Sequence, residues 1–425
     1  MQRFIGIAPR VVSRRTNERI LDRHVDEIAM TWSQRDRACR SHHYRLRELI
    51  MVDERVSAHI EGGRLGGARA WQLAFERIEA GEPGTMFAAA ALALAGSEAR
   101  WFEELGQLAR AQPELGRELV AGIAWARPSD VSWRLAALAR SDQRHDRRLA
   151  AAGFGVSGII PPRPREWLES DDPELVQETL RIVGERGLVE FVDHVNARLD
   201  DPVLATRFHA ARSALLLDRR HAAVWSALEA CMSEPRYAQA AVRWYLRHQD
   251  TEAGAASYRM YRERPQLTSL ALHAAIGHGR IGVVDDLITL MHEPEHARLA
   301  GIAFSVIVGV DVEYADLDLD EDQAEPEDED PGIDEIDVER FADPLPRPDP
   351  EAVRVWWAAH AGEFDPNQRY LRGRAIDESS LRETLVAGTQ FERMLAAEDL
   401  AALRRGSLYL TRQPGQRQAR DWLGW

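Results

Sequence analysis

An all-α fold, built as a HEAT-like helical-repeat solenoid with an N-terminal helical cap and a C-terminal helical module, is the class this sequence predicts. Three observations carry the prediction. A proline returns about every thirty residues, at Pro83, Pro113, Pro173, Pro202, Pro235, Pro265 and Pro294, with one empty slot at Gln143. An acidic residue usually stands just before it: Glu82, Asp172, Asp201, Glu234 and Glu293. Proline suits the first helical position, whose N–H lacks a partner anyway, and a carboxylate there favours the positive end of the helix dipole. Small or apolar residues follow at fixed offsets. Six after the proline come Ala89, Leu119, Thr179, Phe208, Ala241, Ala271 and Ala300; nine after it come Leu92, Gly122, Ile182, Ala211, Trp244, Ala274 and Ala303. That spacing puts them near one helix face, and one such unit must stack on its neighbours to bury it.

The elements follow in chain order. Residues 1–80 read as the cap. Within it Arg35, Arg37, Arg40, Arg45 and Arg47 stand against Asp36 alone, with His42, His43 and Tyr44 nearby. This cluster reads as an exposed helix face, a nucleic-acid patch or a basic dock for an acidic segment of the same chain. Residues 81–310 read as the repeats, each with a second amphipathic segment such as Leu188, Val192, Val195 and Leu199. The stretch Gly153 to Pro164 is rich in glycine and proline, and reads as a long loop that breaks the regular helices.

Residues 311–348 form an acidic insert. Asp311 to Asp343 holds 17 acidic residues and one basic one, Arg340, in a chain whose net charge is −15. The rest of the protein is therefore nearly neutral. Such a run cannot bury apolar surface against its own repulsion. It reads as a solvated linker or as a lure for a basic partner, with Asp318, Asp320, Glu321, Asp322, Glu327, Asp328, Glu329 and Asp330 as its candidate binding residues. A calcium loop beginning at Asp316 fails at Glu321, where the turn needs glycine. Residues 349–425 read as a helical module containing Trp356-Trp357, which cannot both face one core if helical.

Composition excludes other classes. No stretch has the ~18 apolar residues needed to span a bilayer, and the first residues lack the apolar core of a signal peptide. Cys39 and Cys231 read as isolated thiols of a cytoplasmic protein. All 54 basic side chains are arginine, as codon bias in a GC-rich genome produces. Metal-protease, dithiol, serine-hydrolase and phosphate-loop motifs are absent. His292 and His296 straddle a helix start, and His273 and His278 flank Gly277 near a helix end. Neither pair makes a metal site by itself. No cofactor, catalytic residue or metal is expected.

The segments Leu46 to Gly62, with Val52 to His59 inside it, Gly309 to Leu317, Pro348 to Val353, Trp356-Trp357 and Arg369-Tyr370-Leu371-Arg372-Gly373 resemble an uncharacterised proteobacterial family of HEAT-like repeat proteins. The resemblance covers nearly the whole chain. Members are similar to proteins encoded near type VI secretion genes and toxin effectors. That implies an adaptor or immunity role, with a basic effector or a loading component as partner. The expected function is a non-enzymatic protein-binding scaffold. The rival is a HEAT-like DNA-repair glycosylase, which needs a basic groove and an acidic residue facing the lesion. The near-zero charge outside the insert argues against nucleic acid, and the arginine cluster argues for it.

Overall fold

The computed structural model describes residues 17–96, 98–319, 345–404 and 407–424. The regular structure of those residues is helical, apart from one two-stranded hairpin and two isolated β-bridges. They fall into two compact units: one runs up to Ser33 and from Glu54 to Gly122, the other from Gln34 to Asp53 and from Ile123 onward.

In the first unit the central element is α4 (Thr85–Ala95), nearly every residue of which is buried. It packs between α3 (Ala68–Glu79) and α5 (Ala99–Ala111). Two aromatic stacks hold this unit, Trp32 on Phe87 at 4.8 Å and Trp71 on Trp101 at 5.1 Å between ring centres. Helix α4 starts without a capping side chain of its own. Gly84 precedes it at φ +79°, where a Cβ would also lie 2.4 Å from the Ala29 carbonyl oxygen. Instead the Glu118 carboxylate accepts from the N–H groups of Gly84, Met86 and Phe87 at 3.0, 3.2 and 3.4 Å. A distant carboxylate thus satisfies donors that a helix start leaves open.

The second unit contains α7 (Pro128–Leu138), α8 (Arg144–Ser157), α9 (Pro164–Leu168), α10 (Pro173–Arg186), α11 (Val192–Asn196), α12 (Leu204–Leu216) and α13 (Ala222–Cys231). It continues with α14 (Pro235–Arg247), α15 (Thr251–Arg262), α16 (Thr268–His278), α17 (Val284–Leu290) and α18 (Pro294–Val308). Helices α8, α10, α12, α14, α16 and α18 each pack on the next, while α7, α11, α13, α15 and α17 pack beside them. The close seams are made by small residues. A Cβ on Gly184 of α10 would lie 2.6 Å from the Ser213 Cα of α12, and one on Gly277 of α16 2.6 Å from the Arg243 carbonyl oxygen of α14.

The proline positions mark these starts. Pro173, Pro235 and Pro294 open α10, α14 and α18, and Pro265 opens a short 3-10 turn that runs into α16. Pro113 does the same before α6 (Gly116–Trp125), while Pro83 and Pro202 stand in the turns just ahead of α4 and α12. Gln143, the empty slot, is the N-cap of α8. The residues six and nine after each proline are buried.

The stretch from Gly153 corrects the expectation of a long loop. Helix α8 runs through Gly153 and Gly155 to Ser157 and ends only at Gly158, at φ +71°. The glycines are there for contact: a Cβ on Gly153 would lie 2.5 Å from Leu135, and one on Gly155 2.2 Å from the Arg181 guanidinium. Close packing offsets the roughly 1 kcal/mol that glycine costs inside a helix.

The chain ends in α19 (Pro350–His360), a hairpin of Tyr370–Leu371 and Arg374–Ala375, α20 (Glu378–Ala387), α21 (Gln390–Arg404) and α22 (Gly415–Gln418). Trp357 is buried against Phe364, while Trp356 is half-buried and stacks on His360.

Candidate functional site

The C-terminal segment is seated on the ends of the helices before it. The last turn of a helix leaves four carbonyls unpaired and carries partial negative charge, so it accepts N–H groups and cations. This chain supplies both. The Arg417 guanidinium donates to the carbonyls of Ala124, Trp125 and Ala126 at 3.0, 3.1 and 2.7 Å. Gln413 Nε2 donates to Val156 at 3.2 Å, and the Leu408 N–H to Glu185 at 2.7 Å. Tyr370 N–H reaches Gly279, Arg372 N–H reaches Val306, and Gly373 N–H reaches Ile307, at 2.6, 2.7 and 2.9 Å.

An ion cluster locks the same surface. Arg247 of α14 pairs with Glu398 at 2.6 Å and with Asp399 at 3.4 Å, and Arg369 pairs with Asp399 at 3.5 Å. Burial pushes the Asp399 carboxyl up, and the two guanidiniums more than offset it, so it sits below the ordinary carboxylate range. Arg393, fully buried, donates to the Leu385 carbonyl, Gln390 Oε1, the Tyr409 hydroxyl and Gln418 Oε1.

The expected basic cluster divides between structure and surface. Arg35 is buried. It donates to Asp53 at 2.8 Å and to the Gln413 carbonyl at 2.9 Å, and lies over the Trp125 ring. It is therefore no part of an exposed face or an open dock, because its charge is spent on Asp53. Arg40 is half-buried in the turn after the helix Glu18–Ala38 and pairs with Asp36 of that helix. Arg37, Arg45 and Arg47 are exposed.

Of the acidic candidates, Asp318 is described; Asp320, Glu321, Asp322, Glu327, Asp328, Glu329 and Asp330 lie outside the described residues. Asp318 sits in a short stem. It bridges to Pro348, Leu319 N–H donates to the Arg347 carbonyl at 2.8 Å, and Asp349 N–H donates to the Leu317 carbonyl at 2.8 Å. The acidic stretch therefore leaves and rejoins the fold at one place.

Beside that stem is a pocket of about 170 Å³ whose wall includes Arg45, Arg298, Arg372, Asp311, Leu345 and Glu392. Arg298 donates to the Leu345 carbonyl, and Arg372 pairs with Glu392 at 3.1 Å. Burial raises the Glu392 carboxyl above its ordinary value, against the pull of Arg372. Arg298, Arg372 and Glu392 were not singled out from the sequence as site residues. Arg372 did appear in the motif that carries the family resemblance, without a chemical reason. The reason is now visible: Arg372 and Gly373 both have positive φ, +53° and +71°, as a type I′ hairpin turn requires. Arg372 shares its positive φ with two other non-glycine residues among those described, Asp218 and Asp316, and arginine there costs roughly 1–2 kcal/mol.

The groups best suited to nucleophilic or proton-transfer chemistry are buried in structure. Burial raises the Cys39 thiol and pushes Cys231 up to about 11. Burial, reinforced by neighbouring arginines, lowers His278 to about 4 and holds His273 well below its ordinary value. Among the described residues no group of three or more His, Cys, Asp or Glu side chains is arranged to hold a metal, and no helix is long and apolar enough to cross a membrane. Compared with known proteins, the chain matches no protein-family model, no curated protein and no solved structure.

Proposed function

We propose that this protein is a non-enzymatic, cytoplasmic binding scaffold: a HEAT-like helical-repeat solenoid that presents one acidic loop to a basic protein partner. The observation that carries the reading is the stem. Leu317 to Leu319 pair with 347–349, so a stretch of thirteen acidic residues and one basic one begins and ends at one point of a nearly neutral fold. The direct packing of α8, α10, α12, α14, α16 and α18, each on the next, supports a repeat architecture. In the setting the resemblance implies, the partner is an effector or a loading component of a type VI secretion system, and this chain is its adaptor or immunity protein. The glycosylase reading loses support, because Arg35, part of the basic cluster it relied on, is buried and committed to Asp53.

The test is kinetic. A partner captured from the native cell is measured against the intact chain and against a variant with residues 320–344 replaced by a short Gly/Ser linker. A steering loop raises the association rate and leaves dissociation nearly unchanged. The variant is expected to associate about ten-fold more slowly at low salt, and the difference should vanish as the screening length falls below ~10 Å. Equal association rates at low salt would sink the steering role, and a faster dissociation would make the loop a binding site instead.

A further inference from the structure

We infer that the cavity walled by α20, α21 and the aromatic residues after them binds a small organic carboxylate with a ring-sized apolar body, such as an arylalkanoate. This goes beyond the scaffold reading and does not depend on it. The cavity holds about 210 Å³, and Leu385, Ala397, Leu400, Ala401, Tyr409 and Trp422 form its apolar wall. Small residues leave the space open. Ala397 and Ala401 stand one turn apart on α21, where larger side chains would fill it. The rings of Tyr409 and Trp422 lie 5.1 Å apart between centres and supply the aromatic side. An apolar cavity of roughly 150 Å³ accepts benzene, so this one has room for a ring and a short arm.

Charge selects the other end of the ligand. Arg382 of α20 and Arg404 of α21 line the same cavity. Both are exposed, whereas Leu385, Ala397 and Ala401 are buried, so the charge stands at the mouth and the apolar surface forms the floor. Both guanidiniums donate to one oxygen, Glu378 Oε1, Arg382 Nε from 3.4 Å. Two cations thus share one anion, and among the described residues the cavity wall contains no aspartate or glutamate. A guanidinium carries several N–H donors in a planar fork, and a second carboxylate can be gripped while Glu378 keeps its contacts. An inorganic anion would leave the aromatic wall unused, and a neutral hydrocarbon would leave the arginines unused. An apolar body with one carboxylate uses both, in the way small-molecule sites combine apolar walls with a few placed polar groups.

The test is calorimetric titration of the full chain with 3-phenylpropionate. The expected result is one molecule bound per chain with a Kd below ~1 mM, which a ligand of about ten non-hydrogen atoms can reach. The uncharged amide of the same acid should bind about ten-fold more weakly, and so should acetate, which has the charge without the ring. Replacing both arginines, Arg382→Gln with Arg404→Gln, should bring the acid down to the affinity of the amide and leave the amide unchanged. Ala401→Leu fills the cavity and should weaken acid and amide together by about ten-fold. The arginines are exposed, so the double variant keeps the assignment testable even where the added leucine unfolds the helix pair. No binding of the acid at ~10 mM, equal affinity for acid and amide, or unchanged affinity for the acid in the double variant would each overturn the assignment. The readout is a small molecule on the isolated chain, so it stands or falls separately from the partner kinetics.

Discussion

Two seams in the second unit are built on opposite principles. Between the repeat helices, contact is made by removing side chains: Gly184 meets the Ser213 backbone and Gly277 meets the Arg243 backbone. Between those helices and the C-terminal segment, contact is made by adding charge, through Arg247, Arg369, Glu398 and Asp399. The first kind tolerates no added volume. The second tolerates no lost partner, because a lone buried charge has no water to solvate it. The comparison teaches that this chain gets cohesion along the repeats from shape, and that charge pairs and hydrogen bonds are added to the apolar contacts, such as Phe304 on Trp356, that attach its C-terminal segment.

Removing one charge should have the largest effect. Arg247→Ala leaves Glu398 without its closest partner and Asp399 with Arg369 alone. The expected loss is about 3–5 kcal/mol in a urea titration. A loss below ~1 kcal/mol would show that water reaches the cluster and that the two seams do not differ in kind.

Acid should come next. His273 and His278 are buried and have folded-state values well below the ordinary 6.5. A depressed value means the stability is fully present above pH 6.5 and is lost as pH falls toward the folded value. The unfolded imidazole is only half protonated at pH 6.5, so each loses about 1 kcal/mol between pH 6.5 and 5.5, and about 2 kcal/mol should disappear from the pair. The carboxylates of Asp399 and Glu185, held below their ordinary values, act only at lower pH. Thermal melts at half-unit pH intervals check the order. A flat profile down to pH 5 would mean these histidines are not held neutral.

A smaller effect is expected from volume. Gly277→Ala gains about 1 kcal/mol of helix propensity but places a methyl 2.6 Å from a backbone oxygen. Overpacking of this kind costs about 1–3 kcal/mol, so a net loss of ~1–2 kcal/mol is expected. A stabilised variant would show that α14 and α16 can separate freely.

Much of this was legible in the sequence, and the seams explain which part. A shape-based seam must repeat wherever the same contact repeats. The prolines and the residues six and nine after them therefore mark helix starts and buried faces. Gly153 and Gly155 misled because a glycine that admits a neighbour is written like a glycine that breaks a helix. The charged seam leaves no period. Arg35, Arg247 and Arg393 look like surface residues in the sequence, and only partners such as Gln413, Glu398 and Gln418 bury them.

The stem gives the protein one dimension it can vary without redesign. Because Leu319 and Arg347 are hydrogen-bonded neighbours, what lies between them contributes no distance to the path of the backbone. Doubling a loop's length adds only about 0.6 kcal/mol of closure entropy. Residues can be gained, lost or exchanged there while Leu317 and Asp349 stay paired. The position is thus an insertion port, where a reporter, a peptide epitope or a different charge pattern can be spliced in while the helices on either side keep their register.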